Sequence, residues 1–190
     1  MNEITGNVLL GCSASAALHK GCDLASKLSQ AGHRVRCVLT PRAAELISPQ
    51  LFEALTGEPA GSTEFGSERR GAMDHIDLSQ WADVIVVAPA SADLIGRIAN
   101  GIAGDLLTTT LLATSTKVPR LFSPAMNPIM WEAPAVRRNV ARLIEDGWVQ
   151  ADPGSGHMAC GVEGTGRMAE PMDLVPRVAA LLEQAFDARS

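Results

Sequence analysis

Residues 84–108 read VIVVAPASADLIGRIANGIAGDLLT. The opening run is apolar and rich in β-branched residues, with no polar alternation, which predicts a strand over 84–88 buried on both faces. Pro89 and the small residues Ala90, Ser91 and Ala92 end the run, and a helical pattern follows over 91–100. A buried strand feeding directly into a helix is the repeating unit of a parallel sheet covered on both sides. In such sheets ligands bind outside the carboxyl ends of the strands, near the point where strand order reverses. Small side chains at that point let a flat ring approach the backbone.

The same alternation extends in both directions. Short apolar runs predict further strands over 7–11, 35–39, 120–123 and 148–150, and helical spacing predicts helices over 15–30, 41–47, 105–113, 134–146 and 173–186. Leu18, Cys22, Ala25 and Leu28 form one helix face by their three- and four-residue spacing, and Gly32 marks where that helix stops. Val175, Val178, Leu182 and Phe186 form the corresponding face of the last helix, read as core packing. The expectation is an α/β fold, a doubly wound, flavodoxin-like or Rossmann-like parallel sheet with helices on both faces. Residues 57–73, with four Gly, one Pro and mixed charges, read as a mobile excursion.

The chain has 190 residues, suited to one domain over 1–190. Its charged fraction of 19% is below the usual ~25%, which hints at surface covered by partner subunits. A formal charge of -5 and the lack of any extended Lys/Arg cluster argue against a nucleic-acid partner. No apolar run approaches the ~18 residues of a membrane helix, and the four cysteines, Cys12, Cys22, Cys37 and Cys160, form no CxxC pair. A cytoplasmic protein without a disulfide framework or metal is expected. His157 and Cys160 have metal-like spacing, but no second pair completes four ligands.

Three further stretches carry chemistry. GCSASAALHK at 11–20 leads from the first strand into the first helix, where backbone N–H groups and the helix dipole suit a phosphate; Ser15 reads equally as an N-cap. SPAMNPIMW at 123–131 is a second small-residue strand end, so one planar cofactor is expected to lie across both. PGSGHMACGVEGTGRMAEP at 153–171 is glycine-punctuated and too unevenly polar for a strand or helix, and reads as a lid carrying the thiol of Cys160.

With HIDLSQWAD at 75–83, these segments resemble the flavin-containing cysteine decarboxylases, in the family's order and over nearly the whole chain. The specific match is PxMNxxMW, met at Pro124, Met126, Asn127, Met130 and Trp131; APASAD is similar to the family's PASANT, with Asp93 and Leu94 in place of Asn-Thr, and Ala14 stands where glycine is common. The resemblance implies FMN as cofactor, at Ser13, Ala14, Ser15, Thr40, Ser91, Ala92, Asp93 and Ala125. It implies 4'-phosphopantothenoylcysteine as substrate, decarboxylated to 4'-phosphopantetheine in coenzyme A biosynthesis.

A cysteine carboxylate has no adjacent electron sink, so the thiol carbon is first oxidised to a thioaldehyde, carbon dioxide leaves, and the enethiolate is then reduced and protonated. In the roles the resemblance implies, His75 is the base or charge partner and Asn127 donates to the substrate carboxylate. Cys160, protonated at neutral pH, is the acid. Met126, Met158 and Ala159 line the substrate. Arg97 meets an anionic part of the substrate, a neighbouring subunit or solvent.

Relatives of the family offer competing readings. Peptidyl-cysteine decarboxylases release the oxidised enethiol and need no acid, so Cys160 within MACG argues for the coenzyme A reaction. Flavin prenyltransferases lack PxMNxxMW. Regulatory flavoprotein subunits of phosphatases carry long acidic extensions, and the bacterial bifunctional form appends a ligase domain; neither is expected with a chain ending at Ser190. The resemblance also implies a homo-oligomer built from trimers, with the active site between subunits.

Overall fold

In the computed structural model the described residues are 5–65, 74–157, 161 and 163–187. In chain order the elements are β1 (Asn7–Cys12), α1 (Leu18–Gln30), β2 (Arg34–Leu39), α2 (Pro41–Ala44), α3 (Pro49–Thr56), β3 (Ala60–Gly61), α4 (Asp74–Trp81), β4 (Val84–Ala90) and α5 (Ala92–Ala99). There follow α6 (Leu106–Ala113), β5 (Arg120–Pro124), α7 (Pro128–Glu132), α8 (Pro134–Glu145), β6 (Trp148–Gln150), β7 (Gly154–His157), β8 (Glu163–Arg167) and α9 (Pro171–Asp187).

Six strands form one parallel sheet in the order β3-β2-β1-β4-β5-β6. That is the Rossmann order, and without the two-residue edge strand β3 the remaining five follow the flavodoxin order. Both names expected for the fold therefore describe this sheet. Strand order reverses between β1 and β4, whose registers pair Val8 with Val84 and Gly11 with Val87.

Alternate strand residues feed two cores, as the pleat requires. Val8, Leu10, Val35, Cys37, Val84 and Val86 face α1, α3 and α9, while Leu9, Val38, Ile85, Val87 and Phe122 face α5, α6 and α8. β4 is buried along its whole length, which is why its sequence shows no polar alternation.

Helix α1 starts at Leu18 rather than at Ser15, because Ser15 spends its carbonyl on Leu18 N–H (3.0 Å) and its hydroxyl on Ala17 N–H (3.2 Å) in a preceding turn. The helix ends as expected: Gly32, at φ +88°, turns the chain toward β2. Its second turn packs close to β4, since a Cβ on Gly21 would lie 3.2 Å from both Ala88 O and Cys12 Sγ.

Helices α3, α4 and α7 were not expected from the sequence, and two further stretches differ from expectation. Part of the 57–73 excursion is ordered, with Ala60–Gly61 pairing beside β2; residues 66–73 lie outside the described set. The glycine-rich stretch contains an antiparallel hairpin, β7 on β8, with Ser155 Oγ and Thr165 Oγ1 2.8 Å apart across it. Among the described residues no helix is long and apolar enough to cross a membrane, and no group of three His, Cys, Asp or Glu is placed to hold a metal ion.

Candidate ligand site at the strand-order reversal

The turns after β1, β4 and β5 converge outside the sheet's carboxyl edge on a cavity of about 450 Å³. The first turn contributes Ala14, Ser15, Ala16 and Ala17, the second Ser91 and Ala92, and the third Ala125, Met126 and Asn127. Small side chains on three adjacent turns leave backbone walls close enough for a planar ring. Seven of the residues singled out from sequence therefore meet here: Ala14, Ser15, Ser91, Ala92, Ala125, Met126 and Asn127.

Asn127 is the N-cap of α7. Its Oδ1 accepts the Ile129 N–H at 2.8 Å, and Pro128 occupies the first helical position, where a missing N–H costs nothing. The cap fixes the carboxamide with its oxygen toward the helix and its nitrogen, the donor end, turned away from it. A donor held this way suits an anionic oxygen without adding a positive charge.

The electrostatic lining was not legible in the sequence. Among the described residues the ionisable groups bordering the cavity are His19, Lys20, His157 and Arg167, with no carboxylate, although the chain carries a formal charge of -5. Lys20 Nζ donates to Met168 O at 3.2 Å and lies 2.7 Å from Glu170 Oε1, joining α1 to the start of α9. Arg167 ends β8 and approaches the same carboxylate at 3.8 Å. His19 and Lys20 occupy the first turn of α1, whose N-cap, Ala17, has no capping side chain. A helix N-terminus flanked by cations suits an anionic group, so the cavity can hold a flat ring with a negatively charged tail.

Five of the expected site residues lie elsewhere in this chain. Ser13 is 2% exposed and sits behind the cavity wall. Thr40 caps α2, accepting the Ala43 N–H at 3.3 Å. Asp93 and Arg97 pair on α5 at 3.0 Å, one turn apart, and Arg97 also lies 3.9 Å from Asp105. His75 is in the first turn of α4, with Nδ1 2.5 Å from Glu64 Oε1. Its neighbours Asp74, Asp77 and Leu78 border a different cavity, of about 260 Å³. Met158, Ala159 and Cys160 lie outside the described residues. What is described are the strands before and after them, and β8 is tied to the third turn by Met126 N–H donating to Gly166 O at 2.9 Å.

The remaining thiols are packing groups. Burial raises the pKa of Cys12 and Cys37, with neighbouring thiols adding to it, and Cys12 Sγ–H donates to Ala88 O at 3.2 Å. Burial likewise raises that of Cys22.

The flavoprotein family model matches residues 2–183. The coenzyme A biosynthesis bifunctional protein CoaBC of Bacillus subtilis (strain 168) is 45% identical over 169 residues, which is 89% of this chain and 41% of that protein. The chain thus spans less than half the length of the curated relatives it matches. Among solved structures, a mutant PPC decarboxylase complexed with pantothenoylaminoethenethiol superposes with a TM-score of 0.83 at 31% identity, covering 95% of this chain and all (100%) of that one. The FMN-dependent cysteine decarboxylase SpaF superposes with a TM-score of 0.79 at 32% identity, covering 95% and 97% of the two chains.

Proposed function

The chain belongs to the flavoprotein family, and on that premise we propose that it binds FMN in the cavity at the strand-order reversal and decarboxylates 4'-phosphopantothenoylcysteine to 4'-phosphopantetheine. The observation that carries this reading is the cavity itself: small-residue turns for a ring, cationic lining for a phosphate, and the oriented amide of Asn127 beside them. The solved relative that carries an enethiol supports the same chemistry, because an enethiol is what oxidation and decarboxylation of a cysteine end leave before reduction.

The residues present fit FMN. Ala14 to Ala17 would cradle its phosphate, with His19 and Lys20 flanking, and Ser91, Ala92 and Ala125 would border its ring system. When bound, FMN supplies reversible acceptance of two electrons from the carbon bearing sulfur, which gives the departing carboxylate a neighbouring C=S as electron sink. Asn127 orients the carboxylate through its amide donor. His75 takes the thiol proton, and Cys160 returns a proton to the carbon that has lost the carboxylate, next to the one bearing sulfur. The net change is loss of carbon dioxide with one proton consumed.

Among the described residues, the cavity that Asn127 borders does not include His75. In this reading a second copy supplies His75, within a homo-oligomer built from trimers. Phe65, next to the His75 partner Glu64, is 78% exposed, and Ile102 and Leu112 are 54% and 61% exposed, apolar surface that such assembly would cover. The cytoplasm suits its unpaired thiols.

Mass analysis of product tests the reading. The chain is expected to release carbon dioxide with no net loss of hydrogen and to turn over phosphopantothenoylcysteine in preference to a Cys-ending peptide. Cys160→Ser is expected to yield a product two hydrogens lighter and a flavin left reduced, and His75→Asn little flavin reduction. A colourless protein that never binds added FMN would refute the proposal, and preference for the peptide would move it to the peptidyl-cysteine class.

A further inference from the structure

Segments far apart in sequence form the cavity, and a line of hydrogen bonds holds them in register. Ser13 Oγ–H donates to Pro89 O at 2.8 Å, Ser13 N–H donates to the same oxygen at 3.1 Å, and Ser91 N–H donates back to Ser13 Oγ at 2.7 Å. Ala125 N–H then donates to Ala90 O at 2.9 Å, and Met126 N–H to Gly166 O at 2.9 Å. The line runs from the first turn through the second and third to the hairpin, and Ser13 is its one side-chain link; the other bonds are backbone to backbone.

A hydroxyl has a single proton and two lone pairs. In Ser13 the proton is used by Pro89 O, one lone pair by Ser91 N–H, and the residue is 2% exposed behind the cavity wall. It has no donor left for a ligand phosphate, which separates it from Ser15 and Ser91, both of which border the cavity. Ser91 is also the N-cap of α5, its Oγ accepting Leu94 N–H at 3.3 Å, so the Ser13 bond fixes where α5 and Ala92 begin.

We propose that Ser13 is a positioning residue: its hydroxyl sets the spacing between the turns after β1 and β4, and it acts on flavin binding through that spacing with no contact to the flavin. The affinity consequence rests on the reading that the cavity holds FMN; the hydrogen-bond consequence does not. Removing the hydroxyl strands a buried N–H on one turn and frees the other, so the cavity walls shift on both sides of a bound ring. FMN and riboflavin, which differ only in the phosphate, should then lose affinity together.

Two measurements on the 190-residue chain decide it. Without flavin, amide exchange at Ser91 should be on the order of 10-fold faster in Ser13→Ala than in the parent, as expected for loss of one buried hydrogen bond. In titrations, Ser13→Ala should weaken FMN and riboflavin by a similar factor, on the order of 10-fold, leaving their affinity ratio unchanged. Should Ser13→Ala not fold, Ser13→Cys, a near-isostere that accepts hydrogen bonds poorly, gives the same readouts. Weakened FMN with unchanged riboflavin would make Ser13 a direct phosphate contact and overturn the proposal, as would an unchanged Ser91 exchange rate. If the parent binds neither flavin, the functional reading fails while the exchange result still decides whether Ser13 holds the turns.

Discussion

The cavity has a floor and a cover built on opposite principles. The floor is the carboxyl ends of β1, β4 and β5 with the turns that follow them, where Ser13, Ser123 and Ala125 are at most 5% exposed and the whole of β4 is buried. The cover is the β7–β8 hairpin, in which Gly154, Ser155, His157, Glu163 and Arg167 are all exposed. It rests on the floor through the Met126–Gly166 bond and through Gly164 lying against Pro128. Burial makes floor geometry inseparable from folding, whereas a hairpin with little buried apolar surface can open without unfolding the sheet.

Gly21→Val is the strongest challenge to the floor. The ideal Cβ position already lies 3.2 Å from Ala88 O and Cys12 Sγ and 3.3 Å from Pro89 Cδ, so a branched side chain would lift α1 off β4. Urea unfolding should show a loss of about 2–3 kcal/mol with an unchanged slope. A loss under about 0.5 kcal/mol, the range of neutral surface changes, would mean that this contact does not fix the floor.

Gly164→Ala makes the corresponding test of the cover. A Cβ there would fall 2.8 Å from Pro128 Cγ and 2.9 Å from its Cβ, stiff ring atoms that cannot swing aside, and φ is +159°. The hairpin should stand off from α7, lowering kcat/KM on the order of 10-fold, about 1.4 kcal/mol of transition-state stabilisation, with unfolding free energy changed by less than about 0.5 kcal/mol. If stability fell as far as in Gly21→Val, floor and cover would be one cooperative unit.

The same contrast decides what sequence could reveal. VIVV at the head of β4 and the apolar face of α1 were legible because burial writes itself into side-chain identity. The hairpin was not, since Gly154, Gly156, Gly164 and Gly166 stand where alternating side chains would have signalled strands. Helices α3 and α7 were missed, although Ser48-Pro49 and Asn127-Pro128 each put a cap before proline at the first position, a signal that could have found them. The small residues of the floor were found from the turns themselves. Its cations were not: Arg167 reaches the cavity only through the β7–β8 pairing, a long-range event that local spacing does not encode.

The opposite edge of the sheet supplies a region that should matter to neither. Glu58 Oε1 lies 2.8 Å from Arg34 Nε and Oε2 3.4 Å from Arg36 Nε, and both guanidinium groups lie over Trp81, at 5.8 and 4.4 Å from its ring centre. The hydrogen bond from Arg34 is the first cause holding the Glu58 carboxyl below its ordinary pKa, with Arg36 assisting against the cost of burial. A carboxyl depressed in the folded state contributes stability that is fully present above its unfolded pKa, about 4.3, and is lost as pH falls through the lower folded value. Glu58→Gln should therefore cost about 0.5 kcal/mol at pH 7, in the range of an exposed pair. The gap between variant and parent should close as acid protonates the parent's carboxylate. Because Arg34 and Arg36 sit toward the amino end of β2, flavin affinity should stay unchanged while this small loss is measured. A change in it would show that the floor depends on the far edge of the sheet, and that its geometry is set by the whole sheet and not by the turns alone.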